Sequence, residues 1–345
     1  LRPVVSGCIA LTARLTALVT TAVVCAVIPT AAQATFPGRN GRIATVAMDD
    51  PGCHYPGPTE GSACAVRVLL QSVRADGRGP RTLIDCSDAT CPAGPPAYSP
   101  DGRRLAYSVP GALIVATADG RDPRPVALPP GLSPRDPQWS PGGGRLVFVG
   151  TAQDATGAVS SDVYVTRVDG RGTRRLTRRG GVTAVTWSAR GELAFVDERD
   201  LYVGGLPLVM RIMRLDPRTG AVHQLTRGPA LSDHAADPDW SPDGRRLAFA
   251  SDTRAGSGAH EHFVQGIYVL DVRTGRLRRI HQAGFSVPSS PVWSPDGARI
   301  AFVEDGVLRS TSSRGGAAHT LLVPPRAGAA GVSLSRPSWQ PVPVH

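Results

Sequence analysis

Apolar residues fall along the chain into short alternating runs bounded by Gly, Pro, Asp or Asn. Leu105-Ala106-Tyr107, Leu146-Val147-Phe148, Leu193-Ala194-Phe195, Leu247-Ala248-Phe249 and Ile300-Ala301-Phe302 are such runs, and Ile43-Ala44 after Asn40-Gly41 is another. An aromatic residue and a turn precede each of the five. They read Tyr98-Ser99-Pro100-Asp101-Gly102, Trp139-Ser140-Pro141-Gly142-Gly143, Trp187-Ser188-Ala189-Arg190-Gly191, Trp240-Ser241-Pro242-Asp243-Gly244 and Trp293-Ser294-Pro295-Asp296-Gly297. A last copy, Trp339-Gln340-Pro341, stands near the end of the chain, and Phe36 stands where the first aromatic would be. A third run follows, as in Val163-Tyr164-Val165 or Ile267-Tyr268-Val269. A turn such as Asp169-Gly170 or Thr274-Gly275 comes next, and a fourth short run closes the unit, as in Arg175-Leu176-Thr177 or Gln224-Leu225-Thr226. Alternation of period two between such turns predicts four strands joined by hairpins. No helical period competes with it.

The unit recurs roughly every 40–55 residues, and one such sheet cannot cover both of its faces alone. Neighbouring units must therefore stack, and four-stranded units of this period are the blades of a β-propeller. Counting strands predicts an all-β, six-bladed ring. The chain enters at the second strand of a blade near Gly41 and ends with a lone first strand, Arg336 to Gln340. Pairing those two ends would complete the sixth blade and remove an open edge. The repeat Trp-Ser-Pro-Asp-Gly followed by Arg-Arg-Leu-Ala-Phe resembles the TolB-type propeller repeat, and Pro337-Ser338-Trp339-Gln340-Pro341 resembles that family's closing strand. The resemblance covers residues 36–341 and implies the propeller fold. It also reaches peptidase propeller domains and polysaccharide lyases, so it does not imply one activity. TolB carries an additional N-terminal α/β domain, whereas here the propeller is expected to start directly after the signal.

Composition adds the compartment. Arg2 and Arg14 flank an otherwise uncharged start, Leu15 to Ile28 is apolar or Thr, and Ala32-Gln33-Ala34 supplies small residues at an exit. These are the parts of a secretory signal, and the apolar stretch is shorter than the roughly twenty residues a membrane span needs. The expected organisation is a signal peptide over 1–34 and a propeller over 35–345, exported, with no stable membrane insertion after cleavage. No Lys occurs, so all 38 basic residues are Arg, and the formal charge of +10 falls to +8 without Arg2 and Arg14. Four cysteines remain: Cys53, Cys64, Cys86 and Cys91. An even count in an exported chain favours disulfides. Three connectivities are open, and Cys53 with Cys64 and Cys86 with Cys91 close the shortest loops.

No Gly-x-Ser-x-Gly elbow, Gly-x-x-x-x-Gly-Lys loop or His-Glu-x-x-His motif is present. His260 and His262 share a strand-like spacing that could hold a metal, but they follow Thr253-Arg254-Ala255-Gly256, which reads as a solvated loop. The remaining candidates lie where each innermost strand begins. Asp136 and Asp237 occupy one repeat position, each followed by Pro, and Ser290 and Arg336 are its equivalents. With His234 they would form a ligand site at the mouth of a central channel, or else satisfy backbone N–H groups at strand starts. The paired arginines, such as Arg103-Arg104 and Arg245-Arg246, are spread by the repeat rather than gathered among aromatics. That reads as a solvated rim and not as a nucleic-acid surface. The expectation is an exported, monomeric, cofactor-free propeller that binds a protein or envelope polymer through one face. The alternative is a lyase-like enzyme using the channel-mouth Asp and His.

Overall fold

The computed structural model describes residues 36–49, 67–87, 91–92, 94–199, 209–226, 235–255, 262–284, 286–323 and 333–343. All belong to one compact unit, Ala32–His345. The signal region 1–34, Cys53, Cys64, His234 and His260 lie outside the described residues.

The described residues form strands and no helix. Strands β1 (Arg39–Asp49), β2 (Arg67–Arg74) and β3 (Arg81–Cys86) pair in that order as part of blade I. Blade II holds β4 (Ala97–Tyr98), β5 (Arg104–Val109), β6 (Ala112–Thr117) and β7 (Arg124–Val126). Blade III holds β8 (Ser133–Trp139), β9 (Arg145–Gln153), β10 (Val159–Arg167) and β11 (Arg174–Arg175). Blade IV holds β12 (Val182–Trp187), β13 (Leu193–Arg199), β14 (Val209–Leu215) and β15 (Val222–Gln224). Blade V holds β16 (Ala236–Trp240), β17 (Arg246–Ala255), β18 (His262–Asp271) and β19 (Leu277–Gln282). Blade VI holds β20 (Ser289–Trp293), β21 (Arg299–Glu304), β22 (Val307–Ser312) and β23 (His319–Leu322). The chain then returns to blade I, where β24 (Ser333–Leu334) and β25 (Ser338–Val342) both pair with β1.

Every pairing within a blade is antiparallel, and the ring closes as the repeat count requires. Ile43 faces Trp339 and Ala44 faces Ser338 across β1 and β25. The closing strand begins two residues later than the repeat pattern predicts, and before it the chain makes the short β24 against Ala47 and Met48. The first strands of the blades, β4, β8, β12, β16, β20 and β25, each touch the next in turn, which places them innermost.

The turn that opens each unit explains its sequence. In blade II the Ser99 hydroxyl donates to Asp101 at 2.5 Å and accepts from the Arg104 N–H at 2.9 Å, while the Gly102 N–H closes onto the Ser99 carbonyl at 2.8 Å. Gly102 has φ 66°, and a Cβ there would lie 2.0 Å from the Pro341 carbonyl oxygen, so only Gly fits. Ser241-Asp243-Arg246 and Ser294-Asp296-Arg299 repeat the arrangement.

Burial then follows from period two: one face of each blade packs on the blade before it and the other on the blade after it. The core accordingly falls into six clusters, each made of two adjacent blades. Trp139, Trp240 and Trp293 are almost fully enclosed in them. Phe36 does not serve as blade I's aromatic; Trp339 of β25 does, and Phe36 instead packs with Ala97 and Trp139 beside the axis.

Strand direction gives the ring two unlike ends. At the turn end lie the Ser-Pro-Asp-Gly turns and the short Asp-Gly turns. At the entry end the chain enters each innermost strand, and second strands connect to third strands.

Candidate functional site: the axis and the entry end

The entry end begins with a backbone feature shared by three blades. Asp136, Asp237 and Ser290 stand three residues before the Trp of β8, β16 and β20, each followed by Pro, with φ of 52°, 50° and 56°. Left-handed backbone is uncommon for a residue with a side chain, and Asp tolerates it better than most. The strands carry a register shift there, between Arg135 and Gln138, Ala236 and Asp239, and Ser289 and Val292. The bulge turns the side chain toward the neighbouring blade. Asp136 accepts from the Val185 N–H at 2.9 Å. Asp237 accepts from both the N–H and the hydroxyl of Ser290 at 3.1 Å, and Asp239 accepts from the Trp293 N–H at 2.8 Å. These carboxylates thus link one innermost strand to the next.

Arg336, the equivalent residue of the last repeat, reaches across the axis. It comes from blade I, its Nη2 donates to Asp136 of blade III at 2.7 Å, and its Nη1 donates to the Pro238 carbonyl of blade V at 3.4 Å. Both side chains of the ion pair are under a tenth exposed. Burial pushes the Asp136 carboxyl above its ordinary range and the nearby Asp237 adds to this, while Arg336 and the Val185 N–H oppose it. Below the pair, Phe36, Tyr98, Gln138, Asp239 and Val292 come together around one small space. The cavity left among them is about 20 Å³, space for about one water. Gly38, just after Phe36, donates to the Pro295 carbonyl in the turn of blade VI, so Phe36 sits toward the turn end. Of the sequence-derived candidates, then, the structure brings Asp136 and Arg336 together and ties Asp237 to Ser290. His262 opens β18. Among the described residues no three His, Cys, Asp or Glu side chains gather as a metal site would need.

Pairing at the entry end extends outward. Asp162 is buried and accepts from Arg175 at 2.5 Å and from the Thr177 hydroxyl and the Arg179 N–H at 2.6 Å, while Arg179 itself bonds Asp197 of the next blade at 2.8 Å. In blade VI, Glu304 accepts from His281 at 2.9 Å and Ser286 at 3.0 Å, and Arg309 lies 3.1 Å away. Burial would raise the Glu304 carboxyl, but these hydrogen bonds and neighbouring charges outweigh it and hold it below its ordinary value. Asp197 and Glu304 share a repeat position, two residues beyond Phe195 and Phe302, and each is bonded by a basic side chain, Arg179 or His281, from the connection or last strand before it. That coincidence in the sequence could have revealed the pairs.

The arginine pairs also have a structural role that the rim reading misses. Arg104 lies 4.4 Å over the Trp139 ring and Arg246 lies 4.7 Å over Trp293, each covering the aromatic of the following blade. Cys86 is disulfide-bonded to Cys91, fastening the end of β3 to the connection that leads into β4.

Against known proteins, no family model matches the chain. In fold it is a six-bladed TolB-like propeller. It is similar to a putative TolB from Agrobacterium tumefaciens, 19% identical with a TM-score of 0.57, over 87% of this chain and 99% of that one. An oligogalacturonate lyase solved in complex with manganese is 14% identical with a TM-score of 0.52, over 74% of this chain and 72% of that one. Among curated proteins, the uncharacterized peptidase YuxL of Bacillus subtilis is 39% identical over 85 residues, 25% of this chain and 11% of its own length. Dipeptidyl-peptidase 5 of Porphyromonas gingivalis is 33% identical over 67 residues, 19% of this chain. The chain thus matches about a tenth of the length of these peptidases, and the solved structures share its fold.

Proposed function

We propose that this is an exported, non-catalytic propeller that binds a protein or cell-envelope component through its entry face. The observation that carries the reading is the inequality of the two ends. Among the described residues, the exposed large apolar side chains are Val159, Val287 and Val323, at 66%, 60% and 58% exposure. Val159 opens β10, Val287 precedes β20 and Val323 follows β23, so all three belong to the entry end. At the turn end, the opening turns of blades II, V and VI have Asp side chains bonded to their own backbone. Single exposed valines are ordinary on any surface, so the support lies in all three falling at one end of the ring, Val287 and Val323 on either side of blade VI. The buried Arg336–Asp136 pair that spans the axis argues for a partner lying across this face rather than threading the ring.

An exported setting draws support from the Cys86–Cys91 disulfide and from the signal-like residues 1–34. Their removal would be read from the mass of the exported chain. A lyase-like activity on polysaccharide draws on the fold shared with oligogalacturonate lyase. Turnover of a uronate oligomer by the pure protein would establish it and overturn the non-catalytic reading.

The binding test compares Val159→Glu and Val287→Glu with Arg218→Glu at the turn end, in capture from an envelope extract. The reading predicts that the two valine variants lose the captured component and the arginine variant keeps it. Equal capture by all three would contradict it.

A further inference from the structure

The outer part of the ring holds a cleft that the repeat does not call for. It opens between blades II and III toward the turn end, encloses about 660 Å³, and is lined by Arg104, Arg124, Arg167, Val115, Val168 and Gly144. That volume lies within the roughly 300–1,000 Å³ of small-molecule sites. Its origin is legible in one residue. Gly144 follows the turn of blade III, where blades II, V and VI have Arg103, Arg245 and Ala298. The four carbonyls accept equivalent bonds, from the N–H groups of Val168, Ala118, Val272 and Ser313. A Cβ at Gly144 would meet nothing within 4 Å, and its φ is in the ordinary range. With no side chain at Gly144, that part of the cleft wall is bare backbone.

We propose that this cleft binds a carboxylate carried on an apolar body. Arg104 is already fixed, stacked on Trp139 and bonded through Nη2 to the Gly143 carbonyl at 2.9 Å, so its remaining donors need little ordering to grip an anion. Arg124 is exposed at the edge strand β7, and Arg167 is held 3.6 Å from Asp169. Three guanidinium groups against Asp122 and Asp169 leave about one net positive charge, which balances a monoanion and not a phosphate dianion. Val115, Pro125 and Val168 supply an apolar wall for the rest of the ligand. A free organic acid and the C-terminus of a peptide ending in an apolar residue present the same chemistry.

The test is calorimetry at low salt with N-acetyl-leucine, its amide, and a hexapeptide ending in Leu as free acid or amide. Saturable binding of the acids and silence of the amides is expected. The affinity should fall about tenfold or more in Arg124→Ala, from loss of a charged hydrogen bond, and vanish in Gly144→Arg, which refills the cleft. Binding of the peptide acid identifies a chain terminus as ligand; binding of N-acetyl-leucine alone identifies a small acid. Arg124 is exposed and outside the core, so its variant should melt like the parent and carries the test even if Gly144→Arg folds poorly. The proposal is overturned if neither acid saturates by about 10 mM, if the amides bind as well as the acids, or if Arg124→Ala binds unchanged.

Discussion

Removing the Arg336 side chain perturbs the axis at one defined point. In Arg336→Ala, Asp136 keeps the Val185 N–H but loses the Arg336 guanidinium, and the Pro238 carbonyl loses a donor. Breaking a buried ion pair from one side costs about 3–5 kcal/mol, because the other charge stays buried. In a propeller of this length about 2 °C of melting temperature goes with each kcal/mol, so a fall of roughly 6–10 °C is expected at pH 7. Replacing both groups by apolar ones, Asp136→Leu with Arg336→Met, removes the uncompensated charge and should be less damaging than either single change. Without Arg336, burial and Asp237 raise the Asp136 carboxyl further. Its protonation would then relieve the penalty, and the single variant should regain stability relative to the parent as pH falls. The assay is thermal and denaturant unfolding of the parent, both singles and the double. Single variants melting with the parent, or a double variant equal to the sum of the singles, would show that the pair does not tie the blades across the axis.

Deleting Ser338–His345 removes β25 and with it the Trp339–Ile43 register, so the truncated chain should aggregate or lose its cooperative transition in calorimetry; melting like the parent would refute the closure. Glu304 is held below its ordinary value, so its contribution is full above roughly pH 4.3 and is lost as pH falls through the lower folded value. Glu304→Gln should therefore flatten the acid side of the stability profile, and an unchanged profile would discount the His281–Glu304 pair. Non-reducing peptide mapping should recover Cys86 joined to Cys91, with Cys53 joined to Cys64 as the expected second bridge; four alkylatable thiols without reductant would contradict both.

The fold was legible because its signal is periodic: each of the five full copies of the repeat keeps the aromatic, Ser and Gly, and in blades II, V and VI an Asp as well, so each turn is encoded within a few residues. Contacts across the ring carry no such local signature. Arg336 and Asp136 align at one repeat position, which says that they share a level on the axis but not that they meet. Their meeting depends on blade I and blade III both turning inward, and on one long side chain spanning the gap. Phe36 departs from the repeat for a related reason: aromatic spacing places it in the repeat, yet β25 already provides Trp339 for that place. The arginine pairs looked like a solvated rim because charge is usually outside, whereas Arg104 and Arg246 use the flat faces of buried tryptophans. Gly144 could have been noticed, since it breaks the repeat, but its cleft exists only once blade II packs against blade III.

The most direct test of the binding reading is site-specific photo-crosslinking in the native envelope. A photoreactive residue is placed at Val287 or Val159 on the entry face, and at Arg218, whose side chain is 90% exposed, on the turn face. The account predicts one discrete adduct shared by the two entry-face positions and absent at the turn-face position. Adducts of equal yield from both ends, or from the turn end alone, would contradict it.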